Sequence, residues 1–91
     1  MERKRIREAD ITSAFSVVKE HMKEVLKKHG DGIFSTTHEM LGTITEEYHE
    51  LIEAVRSNKP LKVMRELSDL GVLAVFSLAC FYRSGIPSDR G

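Results

Sequence analysis

Apolar residues recur at three- and four-residue steps along most of this chain, the period of a helix that buries one face. Ile11, Phe15, Val18, Met22 and the pair Val25/Leu26 form a first stripe, predicting a helix over residues 10–29. Met40, Leu41, Ile44, Tyr48, Leu51, Ile52 and Val55 form a second, predicting a helix that ends near Ser57. A third runs from Pro60 to about Arg83, and its second half is apolar on nearly every face. Gly30-Asp31-Gly32, Ser57-Asn58-Lys59-Pro60 and Ser84-Gly85-Ile86-Pro87 punctuate these segments. No Asn-Gly hairpin or sustained alternation points to strands. The pattern therefore predicts an all-α fold: an antiparallel helical hairpin preceded by one more helix.

End signals sharpen these boundaries. Thr36 and Glu39 stand at capping-box spacing before the second helix. Asn58 reads as the cap of the third helix, with Pro60 in its first turn, where proline is tolerated. Lys19, Lys23, Lys27 and Lys28 gather toward the end of the first helix, where cations complement the helix dipole, and Gly30 can close it. Gly42 costs the second helix roughly 1 kcal/mol relative to alanine and has no evident reason in the sequence.

With 91 residues the chain is one domain, 1–91, with a core over about 10–84. A core of this size is marginal alone. The all-apolar half of the third helix needs more neighbours than two helices provide, so a homodimer or homotetramer is expected, with four-helix bundles completed between chains. Fourteen basic and fourteen acidic residues cancel, which argues against a nucleic-acid polymer or a membrane surface as partner. The single cysteine, Cys80, cannot form an internal disulfide. The longest apolar stretch, residues 70–82, is too short to span a bilayer, and Met1-Glu2-Arg3-Lys4 leads into no signal-like run. A cytoplasmic protein is expected.

The candidate chemistry lies in the acidic residues. Glu47 and Glu50 share one face of the second helix, one turn apart, and Glu66 and Asp69 do the same on the third. Glu50 lies eight residues before Asn58 and Glu66 eight after; Glu47 lies eleven before and Asp69 eleven after. In an antiparallel hairpin, residues equidistant from the turn sit level. Helix axes about 8–10 Å apart let four such side chains meet between them. Four converging carboxylates repel and raise one another's pKa values, so a cation should fill the gap. An all-oxygen ligand set suits a hard ion, Mg²⁺ or Mn²⁺ first. The competing explanation is a set of solvated acids in local ion pairs, Arg65–Asp69, Lys62–Glu66 and Glu53–Arg56. It accounts poorly for Glu47 and Glu50, which have no basic residue three or four positions away.

Glu46-Glu47-Tyr48-His49-Glu50 followed by Glu66-Leu67-Ser68-Asp69 resembles the EExxE…ExxD signature of the all-α nucleoside triphosphate pyrophosphohydrolases, the MazG-like enzymes and their dimeric dUTPase relatives. The resemblance spans about residues 11–86. It implies a Mg²⁺-dependent hydrolase that converts a (deoxy)nucleoside triphosphate to monophosphate and pyrophosphate. Glu47, Glu50, Glu66 and Asp69 would be the metal ligands, and Glu46 would orient or deprotonate the attacking water. Family members often continue into a further helix with Lys, Arg or Asn groups for phosphate and base. No such helix follows Pro87 in this sequence, so either a neighbouring subunit supplies those groups or substrate binding is lost or altered. Lys59, Lys62 and Arg65 are the candidate phosphate contacts. Phe15, Lys19, Met22 and Phe34 are the candidates for a base pocket, although Phe15 and Met22 fit a core better.

Two further readings remain open. Glu46-x-x-His49 spells half of a di-iron carboxylate site, but His49 lies about 100° round the helix from Glu50, on the side away from Glu47. The second function class is a non-catalytic helical oligomer or interaction protein that keeps a structural or vestigial metal site. His21, His29 and His38 lack ligand spacing and read as surface or capping groups. Cys80 reads as a small core residue.

Overall fold

A computed structural model describes residues 2–88; Met1 and the last three residues of the 1–91 domain lie outside the described residues. Three helices account for the described fold, with no strand among the described residues: α1 (Glu8–His29), α2 (Thr37–Arg56) and α3 (Pro60–Arg83). Each begins within two residues of the position its apolar period predicts. α1 starts earlier than expected because Asp10 does not lead the helix. Instead its carboxylate accepts from the Arg7 backbone N–H at 3.0 Å, capping the first turn from inside. At α2 the expected cap forms, with Thr36 Oγ1 accepting from the Glu39 N–H at 3.1 Å. The return bond goes one residue further out, from the Ser35 N–H to Glu39 Oε1 at 2.9 Å.

The turn between α2 and α3 corrects one expectation. Asn58 does not cap α3; it ends α2. Its φ of 53° is the left-handed conformation that asparagine tolerates better than most residues. The N–H groups of Asn58 and Lys59 reach back to the carbonyls of Val55 and Ala54, the paired bonds of a Schellman ending. Lys59 then leaves the helical region (φ −114°, ψ 88°), which the following proline disfavours, and Pro60 opens α3 where its missing N–H costs nothing. A turn this short fixes the register of the hairpin.

α1 and α2 each pack on α3 and not on one another. The approach of α1 is close at Gly71, where an added Cβ would stand 3.0 Å from Val18 Cγ2. Beyond α3, Gly85 turns the chain at a φ of 82°. Ile86 is thereby buried, and the Pro87 carbonyl accepts from the Thr37 N–H at 2.9 Å. The core therefore reaches two residues past the expected limit at 84 and ties the end of α3 to the start of α2. Gly42 has open space where a Cβ would stand, so nothing in the structure explains it.

The interior is thin. The buried apolar residues are Ala54, Val72, Cys80 and Ile86. Cys80 thus takes the core place expected of it. The Cα radius of gyration is 15.2 Å, against about 12 Å for a compact domain of this length. The accessible surface is 7767 Å², where a compact monomer of this mass would expose about 5,400 Å². The exposed arm at 2–7 and exposed apolar helix surface both contribute to the excess. Met64, Leu67, Val75, Leu78 and Tyr82 follow three- and four-residue steps through Gly71 along α3 and are all exposed. Leu41, Tyr48 and Val55 recur every seven residues on α2 and are exposed too. No helix is long and apolar enough to cross a membrane among the described residues.

Candidate metal centre

The hairpin register brings the four predicted carboxylates together. Glu47 and Glu50 of α2 and Glu66 and Asp69 of α3 each offer an oxygen, and these atoms all lie within 4.8 Å of one another. Opposite ligands of an octahedral Mg²⁺ stand about 4.2 Å apart, and those of Ca²⁺ about 4.8 Å. One ion at the centre can therefore touch all four after a small contraction.

Burial grades across the cluster. Glu66 is 5% exposed, Glu47 and Asp69 are half-buried, and Glu50 faces solvent. Glu47 Oε2 and Glu66 Oε2 are buried without a hydrogen-bond partner. Two ionised carboxylates can only accept, so neither satisfies the other unless a proton lies between them. The local ion pairs of the competing explanation, Arg65–Asp69, Lys62–Glu66 and Glu53–Arg56, do not form. Ion pairs among the described residues include Arg7–Asp10, Lys23–Glu20 and His21–Asp69. Among the described residues no lysine or arginine forms an ion pair with the cluster. Orphaned buried oxygens and an all-carboxylate donor set fit a hard divalent cation.

The Glu47 carboxyl responds to this crowding: its pKa is pushed up to about 8. Burial is the largest cause, followed by hydrogen bonding with Glu66, the charges of Asp69 and Glu50, and hydrogen bonding with Glu50. The folded metal-free protein thus holds a proton on Glu47 that the unfolded chain, with the ordinary value of 4.5, releases. The stabilisation from this group is complete below about pH 4.5, and it is lost as pH rises to about 8. The metal-free melting temperature should therefore fall from about pH 5 to about pH 8. An ion that displaces this proton binds more tightly as pH rises. The increment in melting temperature produced by saturating Mn²⁺ should grow over the same window. Thermal melts in chelator and in Mn²⁺ across that range check both signs, and a flat or rising chelator curve would contradict this electrostatic picture.

A groove of about 500 Å³ opens beside the cluster, between α1 and α2 with α3 as its floor. That volume is within the range of small-molecule sites, about 300–1,000 Å³. Glu47 and Asp69 form part of its wall, with His21, Glu24 and Lys28 from α1 and Thr43 from α2. Phe34 and Phe76 also line it, edge to face with ring centroids 5.4 Å apart.

The remaining predicted residues are dispersed. Glu46 is exposed and outside the four-oxygen cluster, one turn from Glu50 on the solvent side of α2. Lys59, Lys62 and Arg65 are exposed and do not line the groove; Lys28 does. Of the proposed base contacts only Phe34 lines it. Lys19 is exposed, Met22 is half-buried, and Phe15 is 70% exposed, not in the subunit's core. His49 stays outside the cluster, tilted against the Tyr48 ring.

His21 overturns its reading as a surface or capping group. Its Nε2 lies 3.1 Å from Asp69 Oδ1 and its Nδ1 2.9 Å from Ser68 Oγ. A signal was present in the sequence: His21 falls three residues after Val18 and four before Val25, on the edge of the apolar stripe. Phe76 was hidden because every face of that half of α3 is apolar. No family model, curated protein or solved structure matches the chain.

Proposed function

We propose that the chain is a nucleoside triphosphate pyrophosphohydrolase that works with Mg²⁺ or Mn²⁺ and as a homo-oligomer. One observation carries the reading: four carboxylates converge within 4.8 Å, two of their buried oxygens lack partners, and a groove of nucleotide size opens beside them. The EExxE…ExxD spacing, which resembles that of the MazG-like enzymes, supports it. When bound, a hard divalent ion supplies charge neutralisation for a triphosphate and acidifies a water.

The chain's own residues divide the remaining work. Glu47, Glu50, Glu66 and Asp69 hold the ion, and the exposed edge at Glu50 leaves the phosphates a way in. Glu46, one turn from Glu50 on α2, would orient or deprotonate the attacking water, the role the resemblance implies. Lys62 and Arg65 stand one turn before Glu66 and Asp69 on α3, without ion-pair partners among the described residues, and their long side chains suit phosphate oxygens; Lys59 lies further out. Lys28 offers a cation inside the groove. Phe34 and Phe76 provide the apolar walls a nucleobase needs, a role for which Phe15 and Lys19 are poorly placed.

Incubation with each common NTP and dNTP plus Mg²⁺, with pyrophosphate measured, tests this directly. Turnover is expected on at least one nucleotide, with monophosphate as co-product and none in chelator. The absence of turnover on all of them, together with no Mg²⁺-dependent melting shift, would favour the non-catalytic oligomer instead.

A further inference from the structure

We infer that His21 is a positioning residue for Asp69, and that α1 thereby takes part in the metal centre without contributing a ligand; this rests on the metal reading above. Of the three helices, α1 alone brings no carboxylate to the cluster. It reaches the cluster's edge through His21, whose imidazole is 27% exposed against an Asp69 side chain 24% exposed.

The chemistry of the contact assigns its direction. An ionised carboxylate only accepts, so the 3.1 Å contact to Asp69 Oδ1 requires a proton on Nε2. Nδ1 meets Ser68 Oγ at 2.9 Å. The ring is therefore clamped by two consecutive residues of α3, and its plane is not free to turn. Asp69 sits among three other carboxyl groups, and repulsion from the ionised ones would otherwise swing its carboxylate out of the cluster. One bond from His21 opposes that, and a carboxylate with about four lone-pair sites keeps others for an ion. Such outer partners orient ligands, and their loss typically costs about 10- to 100-fold in metal affinity.

The helix approach that makes the contact possible is visible nearby. Val18 lies about one turn before His21, and Gly71 lies two residues after Asp69. A Cβ at Gly71 would meet Val18 Cγ2 at 3.0 Å. An alanine there would ask the Val18 side chain to give by a few tenths of an ångström; a larger, branched side chain would hold α1 further off, and the imidazole would lose its reach to Asp69. Gly71 is thus part of the same device.

Mn²⁺ titration followed by the electron paramagnetic resonance of the free ion reads affinity without requiring turnover. His21→Phe keeps ring volume and removes both hydrogen bonds; we expect the Mn²⁺ Kd to rise about 10-fold or more. His21→Gln restores a donor of similar reach and should recover most of that loss, which a merely space-filling role would not predict. Gly71→Val leaves all four ligands and His21 in place but pushes α1 away, and should weaken Mn²⁺ as His21→Phe does. Circular dichroism of each variant confirms retained helix. Wild-type affinity in folded His21→Phe would overturn the assignment. Wild-type protein that binds Mn²⁺ and shows these losses, yet hydrolyses no nucleotide, would remove the proposed reaction and support the His21 role. Wild-type protein that binds no Mn²⁺ would overturn both.

Discussion

Glu66→Gln should abolish Mg²⁺-dependent pyrophosphate release, by at least about 10³-fold, while the variant in chelator melts higher than the wild type. The two effects have opposite signs because the same carboxylate does opposite things with and without an ion. Glu66 is the most buried of the four, at 5% exposure, and its Oε2 has no partner. In the metal-free fold it adds one more negative charge to an under-solvated cluster. Glutamine keeps its shape, removes the charge and can still hydrogen-bond the Glu47 carboxyl. A buried carboxylate that nothing neutralises is a stability cost, and in a domain of this size each 1 kcal/mol relieved raises Tm by about 4–8 °C. With an ion present, the lost ligand removes both the affinity and the charge that hold the reactive centre. Glu50→Gln should lower activity similarly but leave the chelator melt nearly unchanged, because Glu50 is exposed and already hydrated. Scanning calorimetry with and without Mg²⁺, paired with the pyrophosphate assay, separates these cases. A Glu66→Gln protein that keeps its activity would end the metal-centre account, and a lower melt in chelator would show that Glu66 has a stabilising partner after all.

The second large effect concerns assembly: Leu78→Asp should turn a dimer or tetramer into a poorly folded single chain. Met64, Leu67, Val75, Leu78 and Tyr82 lie along one exposed stripe of α3, and Leu78 is 59% exposed in the isolated subunit. The accessible surface of 7767 Å² exceeds that of a compact monomer by roughly 2,400 Å². A standard interface takes about 800 Å² from each partner, about a third of that surplus. Burying a leucine contributes about 1.5–3 kcal/mol, and a symmetric interface loses it twice. Desolvating an aspartate in its place adds to the loss. Dissociation would also unfold the subunit, because Ala54, Val72, Cys80 and Ile86 are too little core to hold three helices. Light scattering at micromolar concentration should give two or four times the single-chain mass for the wild type, and helical circular dichroism should fall in Leu78→Asp. Well-folded wild-type protein at the single-chain mass would refute this and leave the exposed stripe without a purpose.

These expectations draw unequally on what the residues announce by themselves. The helices are legible from period and end signals, because both are local: Thr36 caps α2 and Pro60 opens α3 through bonds within a few residues. The carboxylate cluster is legible for a related reason. A short turn at Asn58 joins two helices of identical rise per residue, so equal sequence distance from the turn becomes equal height, and Glu47, Glu50, Glu66 and Asp69 must meet. Even the misassignment of Asn58, from α3's cap to α2's end, does not shift that register. Phe15 shows where the rule stops. It continues the same apolar stripe as Val18, yet it is 70% exposed in the subunit, because periodicity states which face wants burial and not what covers it.

The sequence alone therefore determined three helices, a hairpin and a meeting of four acids, since each follows from contacts between near neighbours or from one tight turn. Only the tertiary structure decided where α1 lies. The linker from Gly30 to Thr36 imposes no register, so nothing local foretells that Val18 meets Gly71, that His21 reaches an aspartate 48 residues away, or that Phe34 closes on Phe76. Those contacts form between surfaces whose relative placement is set by packing, and packing is a property of the assembled molecule.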